Sequence, residues 1–138
     1  MKIVVSACLL GENCKYNGGN NYSEKIAKFV EGREVIPVCP ERLAGLGIPR
    51  PPIEICGDRV VSIHGVDVTD ALAQAVRTIL QQLAAEDIEC VVLKSRSPTC
   101  GVKQVHDGTF TGTLVDGMGV LAKALSEAGY RVIDAEEL

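Results

Sequence analysis

Hydrophobic positions along this chain follow two rhythms. Four short runs are apolar at nearly every position: residues 2–6 (KIVVS), 35–38 (VIPV), 88–93 (IECVVL) and 131–133 (RVI). Rich in β-branched residues and without polar alternation, they read as strands buried on both faces, as in parallel sheets. Between them the apolar spacing changes to three and four. Over 68–86, Val68, Ala71, Leu72, Ala75, Val76, Ile79, Leu80 and Leu83 form one stripe, which predicts an amphipathic helix. Asp67 or Thr69 suits its N-terminal cap. Shorter helices are predicted over 24–31, stopping at Gly32, and over 118–128, stopping at Gly129.

Strands alternating with helices imply an α/β three-layer sandwich around a small, mainly parallel sheet with right-handed crossovers. Two hairpin-like insertions interrupt it. IEICGDRVVSIHG has a turn signal at Gly57-Asp58, and VKQVHDGTFTG has one at Asp107-Gly108. With 138 residues, the expectation is one domain, 1–138, around one core. Aromatics are 4% and Trp is absent, so Val, Ile, Leu and Ala must fill that core.

The net charge of −4 offers no basic face for long nucleic acid. No apolar stretch approaches the roughly 18 residues of a membrane span. The opening MKIVVSACLLG is too short in apolar content for a secretory signal. A cytoplasmic protein without a membrane partner is expected, and in that reducing setting six cysteines point to metal binding or reactivity before disulfides.

Three of the cysteines share a position. Cys8 follows the first strand run, Cys39 the second and Cys100 the third. Parallel strands bring their carboxyl ends to one edge, where open α/β sheets hold ligands. Three thiols distant in sequence should therefore meet in one crevice. No C-x₂-C pair is present, which argues against a zinc knuckle. Three soft sulfur ligands suit a cubane iron–sulfur cluster, and three-cysteine ligation leaves one iron open. Cys90, inside its strand, reads as a small core residue, and Cys56 as structural. Cys14, six residues after Cys8, could be a fourth ligand, a resolving thiol or a bystander.

Other groups flank these thiols. Glu41 follows Cys39 by two positions, with Pro40 fixing the backbone between them; it could serve as general acid or base, or merely as a helix N-terminal carboxylate. Ser97 precedes Cys100 by three and could be a hydrogen-bonding partner, a proton relay or a turn residue. Lys94 and Arg96 could balance thiolate charge or simply be solvated. DGMG at 116–119 could receive an anion at a helix start, or be a plain turn. His64 and His106 belong to no evident triad, although a Cys100–His106 pair is conceivable.

SACLLG, CKYNGGNN, PVCPERLAGL, PRPPIE, GVDVT, LKSRSPTCG and DGTFTG…GMGVLAKAL, in this order, resemble a bacterial family long filed as a domain of unknown function. It is the family that includes the thiouracil desulfidases. The resemblance runs from about residue 3 to about residue 134. It implies a [4Fe–4S] cluster with one open iron on Cys8, Cys39 and Cys100, a cofactor that an aerobic preparation can lack. It implies a catalytic Glu41 and an active-site Ser97. The implied reaction converts a small thiolated pyrimidine to its oxo form and releases hydrogen sulfide without net redox change. Thr99, His106, Met118 and Leu121 depart from the family's usual residues at positions expected to border the pocket, which bears on substrate choice. Some relatives carry a further C-terminal domain; this chain ends at Leu138, so a free base or small nucleoside is the expected substrate. The competing expectation is a sulfur-trafficking or metal-binding module without turnover.

Overall fold

A computed structural model describes residues 1–138. Its central sheet has four parallel strands: β1 (Lys2–Ser6), β2 (Glu34–Val38), β5 (Ile88–Leu93) and β8 (Val132–Asp134), in the spatial order β2-β1-β5-β8. Each run read from the apolar pattern is a strand, displaced by at most one residue. Burial on both faces holds for the central β1 and β5. The edge strands β2 and β8 are partly exposed, and only at such an edge is Pro37 tolerated within β2.

Successive residues of β1 point to opposite faces. Val4 joins Val91 and Leu93 under α3 (Thr69–Ala84) and α4 (Val120–Glu127), packing with Ile79, Leu83, Leu121 and Leu125. Ile3 and Val5 join Cys90 and Val92 on the other face, under Ile26 of α1 (Glu24–Phe29) and Leu9 of a 3₁₀ turn (Ala7–Leu10). The result is three layers. Burying side chains such as Leu72, Ile79 and Leu83 of α3 contributes about 1.5–3 kcal/mol each. All three helices stop short of their predicted spans, because the residues after them close as caps at Val30, Ala85 and Ala128. The N-cap position of α3 falls on Val68, without a side-chain cap, so neither Asp67 nor Thr69 is the cap; Asp67, one residue earlier, accepts at Oδ1 from Thr69 N at 2.9 Å.

The chain leaves β1 in one direction, through α1 to β2, and later returns on the other side of β1 to form β5. This reversal puts a switch point at the carboxyl ends of β1 and β5. The insertions are antiparallel hairpins, β3 (Ile53–Cys56) with β4 (Arg59–Ser62), and β6 (Gln104–His106) with β7 (Leu114–Asp116). Gly57-Asp58 forms the two-residue turn of the first. They meet where Gly108 N donates to Glu54 Oε1 at 2.9 Å, and together they wall the switch point. No helix is long and apolar enough to cross a membrane.

Candidate functional site

A cleft of ≈ 450 Å³ opens at this carboxyl edge. Cys8, Cys39, Cys100, Glu41 and Ser97 all line it. Cys8 sits in the 3₁₀ turn after β1, and Cys39 occupies the N-cap of the short helix α2 (Pro40–Leu43). Cys100 lies on the loop after β5, within the turn Ser97-Pro98-Thr99-Cys100. Ser97 builds that turn: its Oγ accepts from Thr99 N at 3.2 Å and from Cys100 N at 3.0 Å.

Two glycines let other backbone reach the turn. A Cβ on Gly101 would lie 2.7 Å from Ser97 O and from Gln104 O. One on Gly119 would lie 2.4 Å from Thr99 C. Gly119 thus brings the start of α4 against the cysteine loop. The N–H groups of residues 119–121 are spent on the carbonyls of Gly101, Pro98 and Thr99. The DGMG segment therefore clamps the loop and is not an anion receptor.

The thiols act on one another. Burial pushes the Cys8 thiol above its ordinary value, and the neighbouring Cys39 pushes it further. Burial also raises Cys100 to about 12, against hydrogen bonds with Ser6 and Thr99. Cys14, 2% exposed, is raised to about 12 by burial and then by Cys39. Cys14 is thus a neighbour of Cys39 and Cys8 and lines the same cleft. Cys90 is a core residue between Ile3 and Val92, away from the cleft. Cys56 bonds to Gly108 O at 3.5 Å, joining the hairpins.

Both oxygens of Glu41 are hydrogen-bonded. Its Oε1 accepts from Arg50 Nε at 3.1 Å, and its Oε2 accepts from Thr99 Oγ1 at 3.1 Å. Arg50 also donates to Gly47 O at 3.0 Å and to Cys14 O at 2.8 Å. Ser97 Oγ lies 3.0 Å from Thr99 Oγ1. Glu41 stands in the first turn of α2, as a helix-start carboxylate would, yet its oxygens are spent on Arg50 and Thr99. Lys94 lines the cleft and pulls the Cys8 thiol down; Arg96 pairs with Glu136 at 2.7 Å.

Ser6, Arg50 and Glu54 line this cleft and were not foreseen as site residues. The sequence carries a faint sign of two of them. Arg50 is a lone cation in GIPRPP, and Glu54 is a lone charge in the strand IEIC. His106 lines the cleft, but the polar neighbours of Cys100 are Thr99 and Ser6, so the Cys100–His106 pair is not formed. His64 lies outside it on the first hairpin. Of the four departures, Thr99 and His106 border the pocket. Leu121 does not: it is fully buried in the core, with Met118 packed against that cluster.

No three of the His, Cys, Asp and Glu side chains converge tightly enough to grip one metal ion. A tetrahedral zinc ion would need that convergence. A cubane distributes its thiolates over separate irons, so three soft donors lining one cleft fit it.

This is an α/β protein with a cysteine-lined ligand cleft at the switch point of its parallel sheet. The 2-thiouracil desulfurase family matches residues 3–137, and the chain belongs to that family. It is similar to the uncharacterised protein YbbK of Bacillus subtilis (strain 168), 39% identical over 146 aligned positions that cover 99% of this chain and 97% of the relative. It is also similar to a solved [4Fe–4S]-dependent thiouracil desulfidase, TudS (DUF523Vcz). That match has a TM-score of 0.91 and 36% identity, covering 99% of this chain and 92% of the other.

Proposed function

We propose that this protein is a cytoplasmic desulfidase that hydrolyses the thiocarbonyl group of a small thiolated pyrimidine. The observation that carries the reading is the meeting of Cys8, Cys39 and Cys100 with Glu41 and Ser97 in one cleft of a chain from this family. The three cysteines would hold a [4Fe–4S] cluster. When bound, its open iron supplies Lewis acidity toward a thiocarbonyl sulfur. Six free cysteines accord with a reducing cytoplasm.

The chain's own groups handle the rest. Glu41, held by Arg50, takes up the proton of a water whose oxygen adds to the thiocarbonyl carbon. Ser97 lines the same cleft and orders the turn that carries Cys100 through the N–H groups of Thr99 and Cys100. Glu54 has Oε1 committed to Gly108 N and Phe110 N, at 2.9 and 3.2 Å, and offers Oε2 to a ring N–H. The carbon exchanges sulfur for oxygen: thiocarbonyl plus water becomes carbonyl plus hydrogen sulfide, with no electron gained or lost.

The test is anaerobic incubation of iron-reconstituted protein with 2- or 4-thiouracil, measuring sulfide and uracil together. Stoichiometric release of both is expected. Iron-loaded protein that releases neither would overturn the reading in favour of sulfur carriage or storage. Cys8→Ser, Cys39→Ser and Cys100→Ser should each lose bound iron, while Cys90→Ala retains it.

A further inference from the structure

No direct hydrogen bond joins Ser97 to Glu41. Thr99 stands between them, and the direction of each bond follows from counting hydrogens. A hydroxyl has one hydrogen and two lone pairs. Both lone pairs of Ser97 Oγ are taken by the N–H groups of Thr99 and Cys100, at 3.2 and 3.0 Å. Its hydrogen therefore points to Thr99 Oγ1 at 3.0 Å. Thr99 has its own hydrogen left, and two acceptors are near: Glu41 Oε2 at 3.1 Å and Cys100 Sγ at 3.8 Å. The shorter bond to a carboxylate prevails over the long one to sulfur. A carboxylate only accepts, so the far end is fixed as well. The donors run one way, from Ser97 through Thr99 to Glu41. Thr99 is 2% exposed, so bulk water does not compete for the link.

From this chain we infer that Thr99 is a positioning residue, whose hydroxyl, oriented by Ser97, holds Glu41 Oε2 in place as the base that takes a proton from water, an inference that rests on the desulfidase reading above. Ser97 Oγ has no lone pair left for a water, so the water's proton passes directly to the Glu41 carboxylate, which the Thr99 hydroxyl holds in place to receive it. One water O–H bond breaks and one Glu41 O–H bond forms. Each hydroxyl keeps its one hydrogen, and the water oxygen is left to add to the thiocarbonyl carbon. Thr99 touches neither water nor substrate in this scheme. It positions Glu41, and a methyl in place of its hydroxyl would break the link without changing the shape of the loop.

The experiment compares Thr99→Val, Thr99→Ser and the parent, each reconstituted with iron. Bound iron per chain, thermal midpoint and affinity for uracil are measured beside turnover of thiouracil. Thr99→Val should keep iron and uracil affinity within about twofold and lose roughly 10²-fold in kcat, in the range removed with a proton-transfer group. Thr99→Ser should recover kcat to within a fewfold. A second arm needs neither cluster nor activity: the side-chain carboxyl carbon resonance of Glu41, in glutamate-labelled apoprotein and assigned with Glu41→Gln, should move in Thr99→Val and return in Thr99→Ser. If the parent turns over and Thr99→Val retains its kcat, the positioning role is overturned. If the parent itself releases no sulfide, the desulfidase reading fails, and the resonance arm alone decides whether the link exists. An unmoved resonance in Thr99→Val overturns it.

Discussion

Arg50 Nε stands 3.1 Å from Glu41 Oε1, with 4% and 14% of the two side chains exposed. The same guanidinium reaches Gly47 O and Cys14 O, so one cation ties the cysteine-bearing loop after β1 to the start of α2. Desolvating such a pair offsets much of its attraction, but removing one partner strands the other.

Arg50→Met should therefore destabilise the fold by about 3–5 kcal/mol, the usual cost of leaving a buried charge unpaired. Arg50→Lys should recover only part, because an ammonium cannot match the planar fork that meets three acceptors. Urea unfolding of the apoproteins measures both. A loss below about 1 kcal/mol for Arg50→Met, the level of an exposed pair, would show that this bridge is not buried in solution.

Gly119 gives the second prediction. A Cβ there meets Thr99 C at 2.4 Å, Thr99 O at 2.6 Å and Cys100 N at 2.7 Å. These are backbone atoms, so no side chain can swing aside. Gly119→Ala should destabilise by at least the roughly 1–3 kcal/mol of overpacking. It should also lower iron retention, since the loop that carries Cys100 must shift. Gly32→Ala serves as the comparison, because nothing lies within 4 Å of its Cβ position. Its positive φ of 76° makes that substitution costly too, but it should leave iron retention intact. Equal iron loading in both variants would contradict the coupling.

The contrast between Cys100 and Arg50 shows what the sequence could reveal. Cys8, Cys39 and Cys100 each follow an apolar run, and parallel strands carry their ends to one edge, so local pattern sufficed to bring them together. The hairpin turn at Gly57-Asp58 was equally local. Arg50 acts through Glu41, nine positions away, and through Cys14 O, 36 positions away, with no periodicity linking the three. Thr99 stood out only as a departure from the family's usual residue near the pocket, because its role depends on a carboxylate 58 positions distant. The clamp by α4 was hidden for the same reason: DGMG reads as a turn until the carbonyls it binds are in place. Edge exposure of β2 and β8 depends on strand order, which an apolar run does not state.

Cluster removal is the third prediction. A group that binds only the native arrangement stabilises it by mass action. The three thiols sit on loops after β1, β2 and β5, so a cluster would tie together elements otherwise joined through the sheet. Reconstituted protein should melt several degrees above the apoprotein, and chelation under air should abolish the difference. Hydrogen exchange should localise the gain to the segments around Cys8, Cys39 and Cys100, leaving α3 unchanged. Equal melting of the two forms, with iron shown to be bound, would mean that the cysteines do not share it.

The last prediction concerns pH and a contact far from the cleft. Asp67 Oδ2 accepts from Arg59 Nε at 2.8 Å, while Oδ1 accepts from Thr69 N, fastening the first hairpin to the start of α3. The Arg59 hydrogen bond, followed by those from Thr69, holds the Asp67 carboxyl well below the usual carboxylate range. A depressed folded value means that, within that window, the unfolded chain binds more protons than the folded one, so stability rises with pH there. The contribution is complete above the unfolded value of about 3.9 and is lost as pH falls through the folded value. Asp67→Asn keeps an acceptor for Thr69 N but removes the charge. Its melting point should lie below that of the parent at pH 7, and the gap should narrow steadily below about pH 4. The pair is half-exposed, so added salt should also narrow the gap. A gap independent of both pH and salt would assign the contact to shape alone.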